Sequence, residues 1–531
     1  MNNADEPRRI TPYEWMPAPS SEPDQTDILA RCTDVVIGAA VAGIKGAELK
    51  SVNVNRAGSL DVPTSTLGVP AFTETDLPVY CQAVVHQTSP AGSVAEVLVW
   101  VPLVWNGRFL GTGGGGTRTT GGHLPRGFGR SATLASSVRN GFASARTDGG
   151  VGTDPRPDEW VLDEDTGQLD SDLFENWAYR STHEMTVIGK AVTAAIHGRN
   201  PDYSYFQGFS GGGRQALAQA QRYPDDYDGV WAGDPGINWT RTIPAMMWPP
   251  LVMKELGALA PEKFDEFRSA AVIEANGPGS ACGWKAQYDE SSFDANRLVG
   301  QVTEAGEITE NDAIVMNKIW QGPVSPTGEQ LWFGLRPGVE SWGGEPLGGQ
   351  GICLTSINNE GHREPKPFAL AHSWLQTWLL RDPEWDWRTL TFDEYAKLFE
   401  QSVTDFAPVA TDDPDLAPLR NSGAKLLVTQ GAEDQVIAAQ GTRLYFDQVF
   451  DSIGGVEATA EFARLFLCPG DGHSSPIVGG FGVDLAIGMI ALMKWVENGV
   501  APETLEILQT GADGTAQSAH QVTAYRGQVQ K

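Results

Sequence analysis

The chain has 531 residues, of which 41% are hydrophobic and 20% are charged, as in ordinary soluble globular proteins. This length favours two domains, or one large domain with an insertion. The net charge of −29 argues against nucleic acid as a partner, because its phosphates would be repelled. No apolar run approaches the roughly 18 residues that a membrane span needs.

The cysteines and the N-terminus bear on the cellular location. No CxxC pair is present and no two histidines are four residues apart, so the usual zinc-site patterns are absent. The N-terminal residues lack the apolar stretch of a signal peptide. We therefore expect either a cytoplasmic protein or a protein whose targeting segment has been removed. The five cysteines are Cys32, Cys81, Cys282, Cys353 and Cys468.

The first half of the chain alternates between strand-like and helix-like segments. We expect residues 1–27, which are polar and proline-rich, to be a flexible segment. The predicted strands are 95–102, which leads into a glycine loop, 141–150, which runs into a loop, and the aromatic segment 203–207. Residues 174–198 have helical periodicity, and a second helix follows residue 210 and ends before Pro224.

The texture of the sequence changes between residues 239 and 410, where tryptophan and proline are frequent and apolar periodicity weakens. Strands then return at 424–431 and 463–470, each followed by a helix. This alternation predicts a mostly parallel α/β sheet flanked by helices. We predict one catalytic domain from residues 28–238 and 411–531, with an inserted lid domain at 239–410.

A single serine stands among glycines between the strand at 203–207 and the following helix. Residues 208–212 read Gly-Phe-Ser-Gly-Gly and match the G-x-S-x-G nucleophile elbow, in which a tight turn exposes the serine at the edge of a sheet. The alternative is a glycine turn that contains an incidental serine. Ser210 is therefore the candidate nucleophile.

Two later strands end in loops that carry the other residues such a serine needs. Asp434 follows the strand at 424–431, next to Glu433, and His473 follows the strand at 463–470. The order serine, acid, histidine is that of an α/β-hydrolase. We predict that Asp434 orients His473 and that His473 is the general base for Ser210.

The run from Gly111 to Gly116 has two interpretations. It formally matches the dinucleotide fingerprint G-x-G-x-x-G, but the residues after it do not begin a helix. The alternative is an oxyanion loop, whose backbone amides stabilise negative charge on a substrate oxygen. We favour the second, in which an amide of the 113–116 run, with Gly114 and Gly115 as first candidates, is paired with the amide of Gly211.

Longer stretches resemble the tannase and feruloyl esterase family of α/β-hydrolases, which includes mono(2-hydroxyethyl) terephthalate hydrolase. They include WNGRFLGTGGGG, SYFQGFSGGGRQAL, RYPDDYDGVWAGDPGINW and ARLFLCPGDGHS, and the resemblance spans roughly residues 30–505. It assigns Ser210, Asp434 and His473 to the family's catalytic triad. It also implies a lid over the active site and an ester of an aromatic acid as substrate.

Two departures from the family pattern stand out. The family's cysteines just before the serine and just after the histidine are replaced by Phe209 and Ser474, and we expect the Phe209 ring to fill the space of the missing disulfide. The lid segment 271–294 lacks the aspartate spacing of the family's calcium loop, so we predict no cofactor, with lid calcium as the alternative that the resemblance implies. The resemblance pairs Cys32 with Cys81 and Cys282 with Cys353, which favours a secreted or periplasmic protein.

The sequence thus predicts a serine carboxylesterase that acts on feruloyl- or galloyl-type esters through an acyl-enzyme. The alternatives are another bulky ester, a lactone or a polyester fragment as substrate, an acyltransferase or lyase, or an inactive binding protein. We expect a small-molecule ester as the partner, no nucleic acid and no membrane, and either a monomer or a homo-oligomer. Arg214 is expected to anchor the serine loop, and His183 is expected to have a structural role. One or two lid tryptophans are expected to contact the substrate. The candidates are Trp239, Trp248, Trp320, Trp332 and Trp342.

Overall fold

The computed structural model describes residues 25–62, 71–119, 132–152, 158–276, 293–340, 351–473, 481–510 and 516–527. Its central element is a nine-stranded sheet in the order β1-β2-β3-β5-β4-β6-β7-β8-β9. The first three strands are antiparallel to their neighbours, whereas all pairs from β5 to β9 are parallel. The strands are β1 (Ala47–Asn55), β2 (Tyr80–Thr88), β3 (Val94–Pro102), β4 (Arg108–Thr112), β5 (Ala143–Thr147), β6 (Tyr203–Phe209), β7 (Gly229–Gly233), β8 (Lys425–Gly431) and β9 (Ala463–Cys468).

Sixteen α-helices are present in the described residues. Threonine side chains cap the first turns of several of them, and left-handed glycines end others, such as Gly198 and Gly499. The helices are α1 (Gln25–Arg31), α2 (Asp34–Val41), α3 (Leu134–Arg139), α4 (Ser171–Glu175), α5 (Ser181–His197), α6 (Gly211–Arg222), α7 (Trp239–Ala245), α8 (Trp248–Leu256), α9 (Pro261–Asn276), α10 (Glu310–Gln321), α11 (Ala369–Ser373), α12 (Phe392–Asp405), α13 (Ala417–Ser422), α14 (Ala439–Ile453), α15 (Val456–Ala460) and α16 (Leu485–Asn498).

Short strands form four smaller sheets outside the central one. Three are two-stranded hairpins and one is a three-stranded sheet near the C-terminus. Their strands are Leu60–Val62 with Phe72–Glu74, Val302–Thr303 with Gly306–Glu307, Leu354–Ile357 with Arg363–Lys366, and Phe481–Gly482 with Thr504–Thr510 and Ala516–Thr523. None of the helices in the described part of the chain is long and apolar enough to cross a membrane.

Helices cover both faces of the parallel part of the sheet, so its strands are almost continuously buried. Successive side chains point to opposite faces, and each strand contributes to two hydrophobic clusters. Helices α5, α6 and α14 pack on one face, and α16 packs on the other. On the first face lie Phe206, Val230, Leu426 and Leu465, and on the second lie Tyr205, Trp231, Leu427 and Phe466.

A glycine lets α16 approach the sheet closely. A Cβ atom on Gly488 would lie 2.2 Å from the ring of Trp231 on β7, and Trp231 is almost completely buried. We expect Gly488→Ala to destabilise the protein by about 1–3 kcal/mol, because neither the helix nor the indole can yield without loss of packing. Thermal or urea unfolding measures this change. Gly38→Ala in α2 is the matched control, since its Cβ would meet Leu49 at an ordinary 3.6 Å; equal destabilisation of both variants would contradict the explanation.

A third hydrophobic cluster belongs mainly to residues 239–410, the predicted lid, and tryptophans are prominent in it. It also includes side chains from outside that range, among them Val151, Trp177 and Ile437. The lid therefore shares its core with the segments on which it lies, and the exact domain boundaries stay a prediction. At the N-terminus one correction is needed: residues 25–27, expected to be flexible, belong to α1.

The structure also corrects one of the expected disulfides. Cys32 and Cys81 are both buried free thiols with no bridge between them, and Cys32 Sγ donates to Ile28 O at 3.5 Å. Cys353 is buried, and its expected partner Cys282 lies outside the described residues. Cys468 is buried at the end of β9, with Sγ 3.8 Å from the carbonyl oxygen of Phe466.

Candidate active site

Ser210 lies in the turn between β6 and α6, as the elbow motif predicts. Its φ of 60° and ψ of −119° form a conformation that non-glycine residues rarely adopt, and such strain is found at functional turns. Two backbone hydrogen bonds hold the turn: Ser210 N donates to Gly233 O and Gly236 N donates to Ser210 O, both at 2.9 Å. The end of β7 and the residues just after it therefore fix the serine in place.

The surrounding glycines allow two backbone segments to pack directly against each other. A Cβ atom on Gly211 would lie 2.3 Å from the carbonyl oxygen of Gly116, and one on Gly212 would lie 2.5 Å from that of Gly114. A Cβ on Gly208 would meet Gly212 O at 2.1 Å. Real Cβ atoms do not approach backbone oxygens so closely. The start of α6 and the loop after β4 can therefore be in contact only because the residues at their contact points are glycines.

The structure brings the three predicted triad residues together. His473 Nε2 lies 2.9 Å from Ser210 Oγ, and His473 Nδ1 lies 2.8 Å from Asp434 Oδ2. His473 and Asp434 are both buried, whereas Ser210 is half-buried. These contacts form one hydrogen-bonded chain that can move a proton from the serine hydroxyl to the imidazole.

Backbone amides fix the Asp434 carboxylate. Its Oδ1 accepts hydrogen bonds from Val436 N and Ile437 N, both at 2.8 Å, and its Oδ2 accepts one from Gln430 Nε2 at 3.0 Å. These bonds hold the carboxylate in one orientation, and they compensate for its burial. The aspartate therefore presents a preset acceptor to the histidine ring.

Gln435 and Phe209 hold the His473 loop. Gln435 Oε1 accepts a hydrogen bond of 2.8 Å from His473 N, a contact that the sequence did not indicate. The Phe209 ring lies 5.1 Å from the imidazole, centroid to centroid, so it packs against the histidine as expected for the place of the missing disulfide. Ser474 lies outside the described residues.

Charges around His473 set its protonation. Burial alone would lower the pKa of the imidazole, but the Asp434 carboxylate, together with Asp234 and Asp471, outweighs burial and raises that pKa above its ordinary value. A histidine that holds a proton more firmly is a stronger base for the serine hydroxyl. The same charges stabilise the imidazolium that this proton transfer creates.

The predicted oxyanion donors on the glycine loop need correction. Gly114 N donates to Gln215 Oε1 at 2.8 Å and Gly115 N donates to Arg118 O at 3.2 Å, so both amides are already used within the protein. Gly116 is the loop glycine nearest to Gly211, since a Cβ on Gly211 would lie 2.3 Å from Gly116 O and 2.8 Å from Gly116 N, against 3.0 Å from Gly115 C. This loop continues without a helix through the last described residue before the gap, Thr119, unlike a dinucleotide-binding turn.

Arg214 links the first turn of α6 to the segment just before α5. Its side chain is almost fully buried, donates to the carbonyl oxygens of Ala178 and Trp177, and stacks 4.1 Å from the Trp177 ring centroid. Burial lowers its pKa to about 9. His183, by contrast, is hydrogen-bonded to Asp226 and stacked on Tyr223, which indicates a structural role.

A buried carboxylate joins the lid to the glycine loop. Asp158 accepts hydrogen bonds from Thr117 Oγ1 in that loop and, at 2.8 and 3.0 Å, from Ser373 Oγ and Trp378 Nε1 in the lid. Only 2% of Asp158 is exposed. The lid is thus tied by charge-assisted bonds to the segment that faces Ser210.

A small apolar cleft lies between the lid and the loop that follows Asp434. Trp248 and Trp332 line it from the lid, and Val436 and Ala438 line it from that loop. Of the other tryptophans considered, Trp239 is buried, Trp320 is half-buried and Trp342 lies outside the described residues. The lining of the cleft is mostly apolar, and the Trp248 and Trp332 side chains in it are themselves buried.

Glu433, next to the triad aspartate, is a buried carboxyl with a different role. Burial raises its pKa to about 7; among the described residues its Oε1 has no hydrogen-bond partner, while Oε2 accepts a bond from Gly470 N. Because the folded state holds this proton more tightly than the unfolded state, stability is lost as the pH rises from about 4.5 to 7. We expect Glu433→Gln to stabilise the protein by about 1–3 kcal/mol at pH 8.

Urea unfolding of wild type and Glu433→Gln at pH 5 and pH 8 tests this prediction. The gain should be present at pH 8 and small at pH 5, where Glu433 is already protonated. Glu360→Gln, at an exposed position, is the control. It should change the free energy of unfolding by the same small amount at pH 5 and at pH 8. A gain from Glu433→Gln that is independent of pH would contradict the assignment.

The fold and the site define the class of protein. A mostly parallel sheet with a serine elbow after β6, an acid after β8 and a histidine after β9 is an α/β-hydrolase. Solved structures share this fold: tannin acyl hydrolase from Aspergillus niger has a TM-score of 0.79 and 23% identity, with 96% of this chain and 93% of that chain covered. Feruloyl esterase B from Aspergillus oryzae has a TM-score of 0.73 and 22% identity, with 94% and 96% covered.

Sequence comparison then gives the family. The tannase and feruloyl esterase model matches residues 81–528, and a probable feruloyl esterase from Arthroderma benhamiae is 37% identical over 435 residues, which are 79% of this chain and 76% of that protein. Feruloyl esterase B from Aspergillus niger is 26% identical over 437 residues, 78% of this chain and 77% of that protein. The chain belongs to the tannase and feruloyl esterase family and is a carboxylic ester hydrolase.

Proposed function

We propose that the protein is a serine esterase that hydrolyses esters of aromatic acids through an acyl-enzyme. The hydrogen-bonded chain from Ser210 through His473 to Asp434 carries this proposal. The feruloyl esterase and tannin acyl hydrolase names of its relatives support the aromatic substrate class.

In the proposed reaction, Ser210 Oγ attacks the ester carbonyl as its proton moves to His473 Nε2. The amides of Gly211 and Gly116 stabilise the oxyanion that forms. His473 then returns the proton to the departing alcohol, which leaves an acyl group on Ser210. Water, deprotonated by His473, releases the acid and restores the serine. The reaction requires no metal or organic cofactor; the segment that would carry the family's calcium loop lies mostly outside the described residues.

A small substrate panel tests the proposal. Release of free acid is measured with methyl ferulate, methyl gallate, p-nitrophenyl acetate and one bulky lactone. We expect turnover of at least one aromatic methyl ester. Hydrolysis of the p-nitrophenyl ester alone would contradict the substrate class and leave the serine mechanism standing. Transfer of the acyl group to an added alcohol without release of acid would instead indicate an acyltransferase.

We also propose that the protein is secreted or periplasmic. This part of the proposal rests on the family resemblance. Detection of the protein in the culture medium or in a periplasmic fraction of its natural source tests it. Recovery with the cytoplasmic fraction alone would contradict it.

A further inference from the structure

A second aspartate ends the strand that lies between the serine strand and the Asp434 strand. In the sheet, β7 is paired with β6 on one side and with β8 on the other, and all three are parallel. Asp234 directly follows β7. Because parallel strands end at the same edge of a sheet, Asp234 emerges between Ser210 and Asp434.

The backbone around Asp234 holds it firmly. Asp234 N donates to Thr429 O at 2.8 Å, and its Oδ1 accepts a hydrogen bond of 2.6 Å from Gly431 N at the end of β8. Only 2% of the residue is exposed, and its φ is 36°, which non-glycine residues rarely adopt. The carboxylate is thus fixed in a buried position by a strained turn.

This position is next to the histidine. One carboxylate oxygen of Asp234, one carboxylate oxygen of Asp434 and one ring nitrogen of His473 lie within 4.8 Å of one another. The charged groups that act on the imidazole come from three strand ends: Asp434 after β8, Asp234 after β7 and Asp471 on its own loop after β9. Ser210 approaches the ring from the elbow.

We propose that Asp234 is a positioning residue for ester hydrolysis, a second buried carboxylate that stabilises the protonated His473 together with Asp434. This inference rests on the proposed serine mechanism. As the Ser210 proton moves to His473, a positive charge develops between two fixed negative groups in a site with little water. Asp234 itself takes no proton, and its role is electrostatic.

A purely structural role is the competing explanation, since Asp234 also binds the end of β8 through Gly431 N. The two explanations differ in what removal of the charge does. Asp234→Asn keeps the size of the side chain and an oxygen that can accept the Gly431 hydrogen bond, and asparagine tolerates a positive φ. This substitution therefore removes the charge and leaves the shape.

The test is the rate at which a fluorophosphonate probe labels Ser210, measured from pH 5 to pH 9. In this reaction the serine oxygen forms a bond to phosphorus and fluoride leaves, so the rate follows the neutral form of His473 and requires no knowledge of the substrate. For Asp234→Asn we expect the acidic limb to move down by about one pH unit, because a negative charge near the imidazole is lost. We also expect labelling at pH 8 to be about tenfold slower, because the imidazolium is less stabilised.

Asp228→Asn is the matched control. Asp228 is exposed at the opposite end of β7, so that substitution removes one charge from the same strand but far from the histidine, and its profile should match wild type. An Asp234→Asn profile with the wild-type midpoint would overturn the inference and leave the proposed function intact. A wild-type enzyme that does not react with the probe would overturn the proposed function, and this inference with it.

If Asp234→Asn does not fold, Asp234→Ser serves in its place, because a hydroxyl can still accept a hydrogen bond and carries no charge. A second comparison uses Asp434→Asn alone and combined with Asp234→Asn. The remaining carboxylate should sustain residual labelling in the single variant, and the double variant should lose a further tenfold or more. Equal rates in the single and double variants would contradict the role of Asp234.

Discussion

Replacing Ser210 with alanine is expected to lower kcat for any ester the enzyme turns over by at least about 10⁴-fold. The reason is that, among the described residues, Ser210 supplies the hydroxyl that is hydrogen-bonded to His473 and, through it, to Asp434. The fold should be unchanged, because the loss of one half-buried hydroxyl leaves the backbone bonds of the turn in place. Steady-state kinetics and fluorophosphonate labelling measure the effect, and both signals should disappear together.

Ser204→Ala is the control for this experiment. Ser204 is buried near the start of β6, at the end of the strand away from the Ser210 turn, so its loss should leave kcat close to wild type. A Ser210→Ala variant as active as wild type would mean that another nucleophile performs the reaction, and the proposed mechanism would be wrong.

Gly211→Ala is the second substitution for which we expect a large effect, a fall in kcat of about 10²–10³-fold. The new Cβ would lie 2.3 Å from Gly116 O and 2.8 Å from Gly116 N, so the glycine loop must move away from the serine. The proposed donor amides of Gly211 and Gly116 would then no longer point at one oxygen. KM should change less than kcat, because these donors act chiefly on the charge that develops in the transition state.

Kinetics on the best aromatic ester measure this effect, and circular dichroism checks the fold. Gly38→Ala again supplies the control, since it adds a methyl group to a helix where space exists. Unchanged kcat in a folded Gly211→Ala variant would show that this amide pair is not the oxyanion site.

Much of the parallel sheet could be predicted because its strands are buried on both faces. Residues 424–431 and 463–470 were predicted as strands, and the structure has Lys425–Gly431 and Ala463–Cys468. In the partly exposed N-terminal region, by contrast, the antiparallel strand β1 was not predicted, because its burial is intermittent and gives a weak pattern. Helices α1 and α2 were missed for the same reason.

The candidate triad was predictable because each member follows a strand in the order that an α/β-hydrolase requires. The roles of Gly114 and Gly115 were not, since they depend on Gln215 and Arg118, whose contacts with the loop exist only in the folded chain. Asp234 was missed as well. Its relation to His473 comes from the position of β7 in the sheet, which local sequence does not reveal.

The Asp158 contacts have a consequence for exchanging lids between relatives. A foreign lid without donors at the positions of Ser373 and Trp378 would leave a buried carboxylate with Thr117 as its one remaining side-chain donor among those described here. Leaving such a charge poorly satisfied costs stability, and here it would also disturb the loop beside Ser210. Chimaeras should therefore transfer residue 158 together with the lid, because the carboxylate and its lid donors depend on each other even though they are far apart in the chain.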